Sequence, residues 1–183
     1  CHRRDNARDQ HGSAAVYQEL FASPTSIHTA NSNLAYGRQP GHKTTQSDAA
    51  RAYVQSLLKS KHKTWVAIPE ELWPDDWHRK GDKKPMCLLV KALYGHPESG
   101  PMWGKKMHKV MKDCGFIPVG GGSPGVFYIP HYGAEMVIYV DDFILIAPEH
   151  LHAKVWASLD RHIKFKDPGA PVTRFLGVQH DIV

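Results

Sequence analysis

At 183 residues, with 42% apolar and 10% aromatic side chains, the chain is long enough for one domain with a real core. It contains no apolar run near the roughly 18 residues of a membrane span, so no membrane partner is expected. Its formal net charge of +5 suits a polyanionic partner without identifying one. Cys1, Cys87 and Cys114 form neither a CxxC nor a paired framework, which excludes a disulfide scaffold and fits a reducing, intracellular compartment. The opening CHRRDNARDQ lacks the apolar core of a secretory signal, and a first residue other than Met suggests an excised piece of a longer protein.

Residues 1–42 form a divergent N-terminal segment that mixes Ser, Thr, Asn, Gly and His and is punctuated by Pro24, Gly37, Pro40 and Gly41. Val16 to Phe21 suits a brief helix or strand. Residues 43–183 carry the regular patterning and are read as one domain. Lys43 to Ser47 is extended and leads into Asp48. Ala50, Tyr53, Val54, Leu57 and Leu58 then fall at helical spacing, predicting a helix over 49–58. Asp48 thus sits at a strand-to-helix junction, where a lone Asp is commonly an N-cap.

Thr64 to Ile68 reads as a strand stopped by Pro69, and the polar stretch after it as a loop. Asp75-Asp76 lies there without apolar flanks and is assigned to the surface. Met86 to Val90 is a short strand running through Lys91-Ala92-Leu93-Tyr94-Gly95 into a turn. Trp103, Met107, Val110, Met111 and Cys114 mark the buried stripe of an amphipathic helix ending at Gly115. Gly120-Gly121-Gly122-Ser123 lacks the GK[ST] ending of a phosphate loop and reads as a plain loop. Val126 to Ile129, Glu135 to Val140 and Phe143 to Ile146 read as strands. Pro148 to Ile163 reads as a second amphipathic helix, with His150 and His152 on its surface, and Arg174 to Val178 as a last strand. Hairpins mixed with helices define an α+β fold. Lysines cluster at 59, 61 and 63, at 83 and 84, and at 105, 106, 109 and 112.

The stretch MVIYVDDFILIA, Met136 to Ala147, carries the chemistry. Two apolar strands close on Asp141-Asp142 without the Asn-Gly or Asp-Gly of a purely structural hairpin. Adjacent carboxylates between apolar strands repel each other and resist desolvation, so a counter-cation explains them economically, and oxygen donors of this kind favour Mg²⁺ or Mn²⁺. The structural alternative is an exposed acidic tip.

Taken together, QSDAARAYV (46–54), KALYGHPESGPMW (91–103), GF and SPGVFYI (within 115–129), IYVDDFIL (138–145) and KFKDPGAPVTRFLGV (164–178), with FASP (21–24) upstream, resemble in order the reverse transcriptases of copia-type long-terminal-repeat retrotransposons. The resemblance covers about three quarters of the chain. Where such enzymes read Gln-Ser-Pro-Arg before the Trp, this chain has Glu98-Ser99-Gly100-Pro101.

The resemblance implies a palm-like antiparallel sheet with helices packed on one face, partial fingers and no thumb. It implies RNA-directed DNA polymerase activity, adding dNTPs to a primer 3′-OH on an RNA or DNA template with two Mg²⁺ or Mn²⁺ ions. It assigns catalysis and metal binding to Asp48, Asp141 and Asp142, and nucleotide binding to Tyr53, Tyr94, Gly95 and Lys166, with Lys164 competing for the role of Lys166. It assigns the primer grip to Phe175, Leu176 and Gly177. Integrase and ribonuclease H domains of a polyprotein are expected outside this chain, and its setting is a cytoplasmic particle or the nucleus. The competing readings are a catalytically inactive retroelement remnant that only binds nucleic acid and, more remotely, an unrelated metal-dependent nuclease.

Overall fold

The structure is a computed structural model that describes residues 27–80, 83–120, 125–175 and 178–179. Helix α1 (Ile27–Tyr36) leads into strand β1 (His42–Asp48), and a two-stranded unit, β2 (Trp65–Ala67) with β3 (Met86–Leu88), brackets the short helix α2 (Asp75–Lys80). Helix α3 (Ser99–Asp113) is followed by β4 (Ile117–Pro118), β5 (Val126–Ile129), β6 (Ala134–Tyr139) and β7 (Asp142–Pro148). Helix α4 (His152–Asp160) and three two-residue strands, β8 (Ala170–Pro171), β9 (Arg174–Phe175) and β10 (Val178–Gln179), complete the order. The main sheet runs β4-β5-β6-β7-β1-β8 with every pair antiparallel.

Strands β6 and β7 are central and buried on both faces, which is why their sequence is nearly continuously apolar instead of alternating. Met136, Ile138, Phe143 and Leu145 face one core with Trp103, Met107, Val110 and Met111 of α3 and Val155, Trp156 and Leu159 of α4. Val137, Ile144 and Ile146 face a second core with Val172 and Phe175, against which Leu34 and Tyr36 of α1 pack. Each such fully buried aliphatic or Phe side chain stabilises the fold by about 1.5–3 kcal/mol. The expectation of helices on one face therefore describes α3 and α4 but not α1, which lies over the opposite face. Gly37 ends α1 where a Cβ would stand 2.2 Å from Thr44 Oγ1 and 3.2 Å from Ile146 Cγ2; only glycine lets the chain pass so close to the sheet.

Several expected elements differ. The helix predicted over 49–58 is reduced to a 3₁₀ turn, Ala52–Gln55, because the chain after it is pulled into backbone pairing with the 90–92 segment: Leu58 N–H bonds Val90 O and Ala92 N–H bonds Ser56 O. The polar segment after Pro69 is not all loop, since Asp75 and Asp76 open α2, where carboxylates suit the positive end of a helix. The strand expected over 174–178 is two short strands paired antiparallel, with Val178 opposite Phe175. His152 is not on the surface: it is buried, with Nδ1 2.9 Å from Thr45 Oγ1 and Nε2 3.1 Å from Ala147 O. Val16–Phe21, FASP (21–24), and most of the Gly120–Ser123 loop fall outside the described residues.

Candidate active site

Pairing of β1 with β7 puts Asp48 directly opposite Asp142, and pairing of β6 with β7 puts Tyr139 opposite Asp142, leaving Val140-Asp141 as a two-residue turn. Residues far apart in sequence thereby meet at one end of the central strands. Among the described residues, the non-glycine residues with left-handed φ are Arg51 at 52° and Val140 at 56°, and both flank this site. For β-branched Val140 that conformation is strained by roughly 1–3 kcal/mol, so the surroundings must hold it. Trp103 Nε1 donates to Val140 O at 2.6 Å, and Ala49 N–H donates to Asp141 O at 2.7 Å. Trp103, legible in the sequence only as a core residue, is thus also the clamp on the acidic turn.

Lys166 reaches the same place from the chain after α4. Its backbone N–H bonds Asp48 O at 3.0 Å, and its ammonium donates to Asp48 Oδ2 at 2.8 Å. Of the two candidate lysines it is therefore Lys166, not Lys164, whose side chain meets the carboxylates. The Lys166 ammonium holds the Asp48 carboxyl below its usual pKa against the opposing pull of partial burial, and Asp48 in turn raises Lys166. Asp142 behaves oppositely: burial first, then its hydrogen bond to Asp48 and the charges of Asp48 and Asp141, push it up to about 6. Crowded carboxylates sharing one environment separate in this way.

Tyr53 and Tyr94 pack beside the turn as a tilted pair, with ring centroids 4.4 Å apart at 57°. Tyr94 Oη lies 3.5 Å from Asp141 Oδ2, and burial followed by the Asp141 charge raises both phenols. Tyr53 also borders the first core, so it is both a packing residue and part of the site's wall. Gly95 turns the chain after Tyr94 with φ 88°. The divergent Glu98-Ser99-Gly100-Pro101 still anchors that turn. Ser99 is buried, its Oγ donating to Leu93 O at 2.7 Å and accepting from Leu93 N–H at 2.9 Å. Of the residues expected in the primer grip, Phe175 is 3% exposed and packs in the second core. Leu176 and Gly177 lie outside the described residues.

Among the described residues, no three His, Cys, Asp or Glu side chains converge as a ready metal-binding cluster. Asp48 and Asp142 stand side by side, Asp141 is turned toward Tyr94, and the Lys166 ammonium supplies the positive charge beside Asp48. The donor set itself, three carboxylates on one turn and the strand beside it, is the chemistry a hard divalent cation takes.

A carboxylate-lined end of an antiparallel sheet, built on a strained acidic turn and faced by a lysine and two tyrosines, defines the site's class. No protein-family model matches the chain. It is 22% identical over 171 residues to the retrovirus-related Pol polyprotein from transposon TNT 1-94 of Nicotiana tabacum, an alignment covering 89% of this chain and 12% of the polyprotein. The chain thus spans a small part of that relative, and the similarity supports a retrotransposon origin. No helix among the described residues is long and apolar enough to cross a membrane.

Proposed function

We propose that the chain is the fingers and palm portion of a copia-type RNA-directed DNA polymerase, adding dNTPs to a primer 3′-OH. The observation that carries this reading is the register of Asp48 against Asp142 beside the Asp141 turn, at the end of the sheet where the family resemblance assigns catalysis. Asp48, Asp141 and Asp142 would hold two Mg²⁺ or Mn²⁺ ions. Bound there, such ions supply charge neutralisation at the attacking and leaving oxygens of phosphoryl transfer. Tyr53, braced by Tyr94, would underlie the incoming sugar and exclude a 2′-hydroxyl. Lys166, which stands at the carboxylates through its ion pair with Asp48, would face the departing pyrophosphate as a proton donor. Template, primer and the neighbouring integrase and ribonuclease H domains of a polyprotein are the partners this reading implies.

One observation favours the second reading, a retroelement remnant that binds nucleic acid without polymerising. Lys166 already pairs with Asp48, Nζ to Oδ2 at 2.8 Å. Primer extension on poly(rA)/oligo(dT) with Mg²⁺ or Mn²⁺ separates the two. Extension that disappears in Asp141→Asn supports the polymerase. Absence of extension from a folded longer polypeptide that carries this chain supports the remnant.

A further inference from the structure

We infer that Gln55 is a positioning residue of the carboxylate site: its side-chain amide fastens the segment carrying Lys164 and Lys166 to the chain leaving β1, and so sets Lys166 against Asp48. Nε2 of Gln55 donates to Ala50 O at 2.7 Å and to Lys164 O at 2.9 Å, while Oε1 accepts from Lys164 N–H at 2.8 Å. Both donors and the acceptor of the amide are engaged, so its orientation is fixed; exchanging O and N would set N–H against N–H and oxygen against oxygen.

Besides the amide, the Phe165 ring packs edge-on against Phe143 and Trp156 with centroids 5.0 and 5.3 Å apart, and a short stretch of backbone pairing joins the two segments. Around the single bridge of Ala49 with Phe165, the backbone bonds are Ala50 N–H to Lys164 O at 2.8 Å and Lys166 N–H to Asp48 O at 3.0 Å. The Lys166 side chain is 58% exposed, so its reach toward Asp48 depends on where the backbone is held. The anchor is itself anchored: Gln55 O accepts from Lys106 Nζ at 2.8 Å, and that ammonium lies 5.9 Å from the ring of Trp103, which clamps Val140. Gln55 thereby links the lysine side of the site to the helix that holds the acidic turn. Neither common replacement reproduces it, since Glu has no donors for the two carbonyls and Asn is one methylene short.

The clamp stands on geometry alone; its kinetic consequence rests on the polymerase reading. Amide hydrogen exchange on the full chain tests the clamp. Gln55→Leu should speed exchange at Ala50, Lys164 and Lys166 by about tenfold or more, the scale of a lost hydrogen bond, with Ile144 and Leu145 in β7 unchanged. Gln55→Glu, which keeps the size, should speed Ala50 and Lys166 likewise and serves if the Leu variant does not fold. Unchanged exchange at all three amides, or equal acceleration in β7, overturns the clamp. In primer extension, kcat of Gln55→Leu should fall, and adding it to Lys166→Met should lower kcat no further; an additive loss overturns the link to Lys166. A wild-type chain that extends no primer within the longer polypeptide, while the Gln55 variants show the selective exchange, sinks the polymerase reading and leaves the clamp standing.

Discussion

Asp142→Asn should stabilise the metal-free protein. Because the folded-state pKa of Asp142 is raised from 3.8 to about 6, the folded chain holds a proton that the unfolded chain has already released. The contribution of this group is therefore fully present below pH 3.8 and is lost as pH rises through about 6. The corresponding penalty at pH 8 is about 3 kcal/mol by linkage. Asp142 is only half-buried, and solvent screening brings the expected gain down to about 1–2 kcal/mol. Asn is neutral, similar in shape and able to donate to Asp48, so it removes the repulsion without opening a cavity. Urea unfolding at pH 8 and at pH 3.5 measures the effect. The variant should be more stable at pH 8 and equal to the wild type at pH 3.5. A variant no more stable at pH 8, or one whose gain is the same at both pH values, would refute the reasoning. A stabilising loss of a carboxylate is the pattern expected where function holds like charges together.

Asp48→Asn and Asp141→Asn should each abolish primer extension while template binding, read by fluorescence anisotropy, stays near the wild-type level; loss of both would point to unfolding instead of lost catalysis. Tyr53→Ala should raise ribonucleotide incorporation relative to deoxynucleotide, and unchanged discrimination would leave Tyr53 with its packing role alone. Trp103→Phe deletes the donor to Val140 O and should cost about 1–3 kcal/mol in chemical denaturation, with line broadening at Val140 and Asp141 in NMR spectra. Gly37→Ala should cost about 1–3 kcal/mol by crowding Thr44 and Ile146; a neutral effect would show that α1 shifts freely.

The hairpin was legible because both flanks are long and apolar, and β1 because its extended run ends in a lone Asp. Their register was not: nothing in either strand alone sets Asp48 against Asp142, and that pairing is what makes a site. The helix expected after Asp48 failed for a physical reason, since spacing records which residues prefer burial, while pairing of 57–58 with 90–91 decides the backbone. His150-His152 looked like a surface pair because periodicity carries no signal for where a helix begins. Helix α4 starts at His152, turning that ring inward to Thr45. Lys164 competes with Lys166 in the sequence because both adjoin Phe165; the Ala49–Phe165 bridge and the Gln55 clamp separate them. Helix α1 was missed because IHTANSNLAY has too weak an apolar stripe to announce it.

A polymerase site at Asp48, Asp141 and Asp142 requires that these carboxylates take up a divalent cation. Mn²⁺-induced relaxation in the NMR spectrum of the isotope-labelled chain measures this most directly, because it reads the position of the ion without requiring turnover. Broadening should centre on Asp48, Ala49, Asp141 and Asp142 and be lost in Asp48→Asn. An unperturbed spectrum at millimolar Mn²⁺, or broadening centred on Asp75 and Asp76 instead, would contradict that site.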